Sequence, residues 1–415
     1  MRDLPFARVL VVEPVSSGNA LVAAARDLGL EVAVASYDAD DRTLTDEVRS
    51  LADAVIVVDT NDQEALERAV LATHRETPFS AVLAGCDFHV PATARLAAAL
   101  GLSGLRPETV EEVRDKALMR ARSSEAGLRT PRFAQATSLD ELRAAAEHVG
   151  FPCVIKPVDS SGSIHVSRAD TWEELRAAFD RLLADHSLDL GRTLEHRAIV
   201  EEYVAGPEFS ADGYVIGGRT TVVALTRKLL GPEPAFVEVG HLTPADEDAE
   251  VMLRVEEYVR AVVKAVHLTV GAFHCELRMT PGGPVLIEIA ARLPGDRIVD
   301  LVHLATGVSL PRAMIAAHLG WSLEDVQAAG VPRAKSAGIR FHLADGHRSY
   351  RRLNGWDRLS RLPGVVETRL TIAAGEPIPE PGDFRSRIGH VIFTADSFQE
   401  ASDLWHAVGD AVTVE

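Results

Sequence analysis

One stretch constrains this chain more than any other: FHCELRMTPGGPVLIEIAARLPGDR, residues 273–297. Residues 273–279 and 285–290 are apolar or alternating runs, and Pro281-Gly282-Gly283 between them is the residue set of a tight turn, which predicts a β-hairpin. Glu276 and Glu288 stand equally far from Gly282, so a hairpin centred there sets their carboxylates opposite one another on one face. Like charges placed directly opposite repel. A divalent cation between them removes the conflict, and oxygen-only ligation suits Mg2+ bound to a phosphate. The alternative is a solvated hairpin with two exposed glutamates. Arg292, two residues past the second strand, is placed to meet an anion near such a metal.

Upstream, residues 7–105 alternate strand and helix. The apolar runs ARVLVVE, EVAVAS, ADAVIVVD and AVLAG are interleaved with helical stretches at 17–28 and 62–75, and a last helix ends near Gly101. That spacing implies βαβ units, hence a parallel sheet with helices on both faces. The first turn, EPVSSG at 13–18, lacks a G-x-G-x-x-G fingerprint, so no NAD or FAD site is expected there. Ser16, Ser17 and Gly18 either present N–H groups to an anion or cap the next helix.

Residues 106–130 read as one or two helices, with Asp115-Lys116 inside the first and Gly127 closing the second. FPCVIKP, residues 151–157, is a short buried strand ending in Lys156; DSSGS follows, and IHV at 164–166 reads as a further strand. A Ser/Gly loop after a strand-borne lysine can fold over phosphates, or simply turn a hairpin. No Walker A motif is present. Glu201 and Glu202 in the strand AIVEEYV, and Glu208 after the AGP turn, are either solvated or placed to meet an adenine amino group and ribose hydroxyls. Beyond Arg227-Lys228, the run GPEPAFVEVGHLTPA is too Pro-rich for regular structure and predicts an ordered loop carrying Glu238 and His241. A helix is expected at 250–267, a helix interrupted at Gly307 over 298–320, then strands from 334 onward and a final helix at 397–408.

Lysine usage sharpens these readings. Only Lys116, Lys156, Lys228, Lys264 and Lys335 occur among 43 lysines and arginines, a bias that marks either places where a compact ammonium is needed or genomic base composition. The net charge of −18 argues against a nucleic-acid or anionic-membrane surface. The apolar run at the start is too short for a signal peptide, and no stretch of about 20 apolar residues is present to span a membrane. Cys86, Cys153 and Cys275, widely spaced among apolar neighbours, read as buried thiols of a cytoplasmic protein.

Taken in order, Asp115-Lys116, VIKP at 154–157, the loop 160–163, VEEYV with Gly206 and Glu208, then Glu276, LIEI at 286–289 and Arg292 resemble an ATP-grasp ligase. FVEVGH at 236–241, FHCE at 273–276 and ARLPGD at 291–296 are similar to the L-amino-acid ligase and dipeptide synthetase branch. The resemblance implies an α/β ATP-grasp fold. A Rossmann-like domain would cover 1–105, the first part of the grasp 106–204 with a lid at about 131–203, the catalytic part 205–330 and a small α+β region 331–415. It also implies roles. ATP would be held by Lys116, Lys156, Ser160, Ser161, Gly162, Ser163, Glu201, Glu202, Tyr203, Val204, Glu208 and Lys228. Mg2+ would sit on Glu276 and Glu288. The substrate side would be Glu238, His241, Arg292, Gly295 and Asp296, with Arg292, Lys156 and His241 as catalytic residues; Arg340, on the expected strand 338–343, is either a further substrate contact or a surface arginine.

The implied reaction joins a small-molecule carboxylate to an amine through an acyl-phosphate in the cytoplasm, without nucleic acid or membrane; a homodimer is expected only as the default among soluble homo-oligomers. Many ATP-grasp enzymes have asparagine two residues after the second metal glutamate; Ala290 stands here, which removes a ligand for a second Mg2+. A biotin-carboxylase-like or purine-biosynthesis enzyme is the rival reading, against which LPGD at 293–296 counts. A nucleotide-binding module without catalysis is the alternative of another class.

Overall fold

The structure, a computed structural model, describes residues 6–327, 331–344, 346–379 and 382–415. The opening residues 1–5 and the expected domain boundary at 330 lie outside them. Four apolar strands, β1 (Arg8–Val12), β2 (Glu31–Ser36), β3 (Ala54–Val57) and β4 (Ala81–Ala84), form the predicted parallel sheet in the order β3-β2-β1-β4. β1 is buried at every position, as a parallel strand covered on both faces must be. Helices α1 (Asn19–Asp27), α2 (Asp46–Leu51), α3 (Gln63–Glu76) and α4 (Val90–Ala99) complete this domain. The short α2, begun by the Thr45 side chain accepting from Val48 N–H, was not expected from periodicity.

α5 (Lys116–Glu125) starts later than expected. The Asp115 carboxylate accepts from the N–H groups of Ala117 and Leu118, so Asp115 is the cap and Lys116 the first helical residue. The region expected as the lid follows: β5 (Phe133–Ala136), α6 (Leu139–Val149), β6 (Cys153–Pro157), β7 (Ser167–Ala169), α7 (Trp172–Ala184), the small hairpin β8 (Leu188–Asp189) and β9 (Arg192–Thr193), and β10 (Ala198–Glu202). Its antiparallel sheet, β5-β10-β6-β7, packs Ile155 and Val200 against Leu142 and Phe179. The strand expected at 164–166 appears instead at 167–169, because Ser163 and His165 take positive φ and turn the chain.

The third sheet holds eight strands in the order β15-β14-β11-β12-β13-β16-β19-β18. These are β11 (Glu208–Ile216), β12 (Arg219–Leu230), β13 (Glu238–Thr243), β14 (Gly271–Thr280), β15 (Gly283–Ala290), β16 (Ser336–Leu343), β18 (Val365–Leu370) and β19 (Arg387–Ala395); β17 (Leu353–Asn354) pairs separately with β20 (Thr413–Val414). The expected loop carrying Glu238 and His241 is therefore corrected to an interior strand. Pro232, Pro234 and Pro244 all flank β13 and none lies within it, so its ladder to β12 and β16 loses no donor. β16 also carries the sheet across the expected boundary at 330/331. Helix α8 (Ala249–Ala265) packs Val255, Val259 and Val262 with Phe209, Phe273 and Leu286. Helices α9 (Ile298–Thr306) and α10 (Leu310–Leu319), separated at the left-handed Gly307, share a core with β1 and α1 and so fasten the first domain to the large sheet.

Candidate active site

Between the lid sheet and the large sheet lies a cleft of about 930 Å³, part of it open to solvent. Its floor is the β14–β15 hairpin. Thr280 faces Gly283 across a two-residue turn, so a regular ladder would set Glu276 opposite Ile287. A bulge at Glu276/Leu277 makes Ile287 the extra residue and brings Glu276 opposite Glu288. The buried Arg120 guanidinium donates to the Ile287 carbonyl at this bulge. The predicted pair is thus present, but register depends on a bulge and not on a turn centred at Gly282. Ile287 and Glu288 both line the cleft.

Three of the five lysines converge here. Lys228 Nζ lies 2.6 Å from Glu276 Oε1, 2.8 Å from Glu208 Oε1 and 3.4 Å from Glu238 Oε1. Burial opposes its charge, yet the three carboxylates hold the ammonium well above the usual lysine range. Burial would raise Glu276, but Lys228 and His274 keep it well below the usual carboxylate range. His274 is pushed up to about 9: burial is outweighed by Asp212, 2.7 Å from Nδ1, and by Glu276, 3.2 Å from Nε2. Lys116 Nζ donates to the Ser160 carbonyl at 2.6 Å and stands 3.2 Å from Glu288 Oε1. Lys156 Nζ is 2.6 Å from Glu201 Oε2; burial lowers its pKa and Glu201 only partly compensates.

Of the residues expected to hold ATP, the structure also brings Ser160, Ser161, Gly162, Ser163, Glu201, Glu202, Val204 and Glu208 to the cleft. Glu201 is clamped between Lys156 and Arg120 Nε at 2.7 Å, and Glu208 between Lys228 and Arg278 Nε at 2.9 Å. The Val204 carbonyl accepts from Arg278 at 2.7 Å. Tyr203 is not part of the cleft wall; its ring stacks on Phe236 and its hydroxyl donates to Glu233. Tyr203 lies just past the end of β10, and the Arg168 and Arg278 guanidiniums hold its ring at 4.4 and 5.3 Å.

Of the residues expected to meet substrate, Glu238 and Arg292 line the cleft. Arg292 is 3.7 Å from Asp87 Oδ1, so the first domain helps to hold it. His241 sits behind the wall, buried, with Nε2 3.0 Å from Asp296 Oδ2. Asp296 also meets Arg387 at 2.6 Å; burial opposes its charge, but Arg387 and His241 hold it well below the usual carboxylate range. Gly295 contributes its carbonyl to the Ile298 N–H and does not reach the cleft. Arg340 is not brought to the site. Alternation on β16 turns Phe341 toward His241 and Arg387, and Arg340 the other way, over the Trp405 ring at 3.8 Å.

Sequence reading missed Arg120, His274, Arg278 and Arg387. Two signals were there: Arg120 lies four residues after Lys116 on one helix face, and His274, Glu276 and Arg278 alternate along one strand face. Arg387 has no local signal. Among the described residues no cluster of three or more metal-ligating side chains occurs. Two opposed carboxylates in a cleft rich in cations nevertheless fit a Mg2+ ion that takes its remaining oxygens from phosphate and water.

Residues 149–300 match the ATP-grasp domain, residues 22–104 the ATP-grasp N-terminal domain and residues 349–415 the L-amino acid ligase C-terminal domain 2. A Sinorhizobium fredii protein named y4rH is 28% identical over 96% of this chain and 80% of its own length. The alanine–anticapsin ligase of Bacillus subtilis is 26% identical over 57% of this chain, and the match spans only 53% of that enzyme. The L-amino acid ligase of Bacillus licheniformis superposes with a TM-score of 0.83 at 23% identity, covering 99% of this chain and 98% of that one, a likeness of fold.

Proposed function

The chain carries an ATP-grasp domain followed by the C-terminal domain of the L-amino acid ligases, and we propose that it is an ATP-dependent carboxylate–amine ligase joining amino acids or amino-acid-like acids. The carrying observation is the Glu276–Glu288 pair, opposed in one cleft with Lys116, Lys156, Lys228 and Arg292 around it.

A carboxylate is a poor acyl donor. Its attack on the γ-phosphate of ATP gives an acyl-phosphate, with ADP leaving; an amine then attacks the acyl carbon and expels phosphate. Positioning and charge neutralisation do most of this work. Lys116 and Lys156 reach the phosphates from the helix start and the lid strand, and Lys228 from β12. Arg292, steadied by Asp87, faces the reacting carboxylate and the charge that gathers on its oxygen. Glu276 and Glu288 would hold Mg2+, which when bound neutralises phosphate charge. The loop 160–163 covers the cleft and excludes water, which would otherwise hydrolyse the acyl-phosphate. Glu238 forms the amino-acid side of the cleft, with the His241–Asp296 pair behind the wall. Free Cys86, Cys153 and Cys275 suit a reducing cytoplasm, and a homodimer is the expected assembly.

Phosphate release from ATP and Mg2+ across single and paired amino acids, with products followed by mass, tests this reading. Release that requires a pair and yields ADP and an amide supports it; release with bicarbonate alone overturns it.

A further inference from the structure

We propose that residues 383–387 of the C-terminal domain complete the acyl pocket and seat the lid, Arg387 fixing the pocket carboxylates and Phe384 receiving Gly162. The inference rests on the ligase reading and adds two positioning residues from a part of the chain to which that reading assigns no role.

Arg387, the first residue of β19, is buried. Its two terminal nitrogens lie 2.6 Å from Asp296 Oδ1 and 2.8 Å from Glu238 Oε2, and its Cζ sits 4.0 Å from the centre of the Phe341 ring. One planar guanidinium therefore ties the loop after the catalytic hairpin to β13, a fork geometry that an ammonium does not supply. Glu238 continues the chain of charges through Lys228 to Glu276.

The lid arrives at the same carboxylate oxygen. Ser163 Oγ stands 3.5 Å from Glu238 Oε2, the oxygen that Arg387 holds, and 3.3 Å from the Phe236 carbonyl. Next to it, Gly162 takes a φ of +66° and lies directly on the Phe384 ring: a Cβ at this position would fall 2.4 Å from Phe384 Cδ1. Only glycine satisfies both the conformation and the approach. Phe384 N–H points at the Gly162 carbonyl at 3.4 Å, and Arg385 is attracted to Asp185 and Asp189 of the lid. Phe384 remains 39% exposed, an aromatic ring at the surface with the lid loop laid on it.

Glu238 is thus the point where pocket, lid and C-terminal domain meet. A substrate that engages Glu238 acts on the same group that Ser163 and Arg387 grip, so a filled pocket and a closed lid favour each other. Loosening the seat lets water reach the acyl-phosphate; loosening Arg387 disorders the pocket.

The test uses the full chain with a substrate pair found by the phosphate-release screen. Wild-type protein is expected to release one phosphate per amide. Phe384→Ala should release several-fold more phosphate per amide with the KM for ATP changed less than about threefold, and Phe384→Tyr should restore tight coupling. Gly162→Ala approaches the contact from the lid and should uncouple likewise. Arg387→Lys should raise the amino-acid KM about tenfold while leaving the KM for ATP near wild type. Hydrogen exchange of residues 158–166 with a non-hydrolysable ATP analogue and Mg2+ should show protection in wild type and its loss in Phe384→Ala. Unchanged coupling and unchanged lid protection in Phe384→Ala, or an unchanged amino-acid KM in Arg387→Lys, overturns the inference. A wild-type protein that forms no amide with any pair overturns the ligase reading instead, and the lid protection still decides the seat.

Discussion

Lys228 and Glu276 form an ion pair at 2.6 Å, and the same buried ammonium meets Glu208 at 2.8 Å, so one cation on β12 ties β14 to β11 across the cleft floor. Each carboxylate here keeps its charge because another group supplies the opposite one. Removing a member leaves the rest uncompensated in a poorly solvated place.

Lys228→Met should therefore lose roughly 3 kcal/mol of stability, because Glu208, Glu238 and Glu276 lose the ammonium they share and are left to Arg278, Arg387 and His274 alone. Urea unfolding of the nucleotide-free protein reads this directly. A loss under about 1 kcal/mol would mean that the lysine is not the centre of the network.

Arg120→Met should cost about 3 kcal/mol and cut ATP turnover by about 100-fold, since the guanidinium holds both Glu201 and the bulge carbonyl of Ile287. Arg120→Lys keeps the charge but cannot span both partners, and should recover stability better than turnover. Equal recovery of the two would argue against a role in register.

Glu288→Gln should leave the melting temperature nearly unchanged, because this side chain is 21% exposed and its Lys116 partner also has the Ser160 carbonyl. Turnover should fall by about 100-fold or more, with the Mg2+ requirement moved to higher concentration. Full ATP turnover in this variant would sink the metal assignment.

His89 predicts an acid limb in stability. Burial, with Arg192 and Arg42 nearby, pushes its pKa down to about 3 from an ordinary 6.5. A histidine held neutral when folded contributes fully above pH 6.5 and loses that contribution as pH falls, because the unfolded chain takes up the proton first. The loss from this one group should reach about 2 kcal/mol by pH 5. His89→Gln should flatten the stability profile between pH 7 and pH 5. A variant with the wild-type slope there would assign the acid limb to other groups.

Local patterns made much of the architecture legible. The alternating runs of the first domain gave its four parallel strands, and the rarity of lysine drew attention to Lys116, Lys156 and Lys228, which do meet in one cleft. What failed was whatever depends on partners far along the chain. β13 looked like a loop because its prolines were counted as interior when they flank it, and β16, its second neighbour, begins almost a hundred residues later. The side to which Arg340 turns was not legible, because strand parity needs a register that only pairing with β13 and β19 sets. The bulge at Ile287 needs Arg120, and Arg387 reaches Glu238 across 149 positions.

The eight-stranded sheet has a thermodynamic meaning of its own. It runs without a break from the catalytic hairpin to β18 and β19, whereas the lid keeps a separate four-stranded sheet. The lid can therefore breathe as its own cooperative unit. The C-terminal strands share the fate of the active-site floor. Nucleotide bound at one end of that sheet deepens the free-energy well of amides near the carboxyl end of the chain, and a lesion there is felt as weaker binding in the cleft.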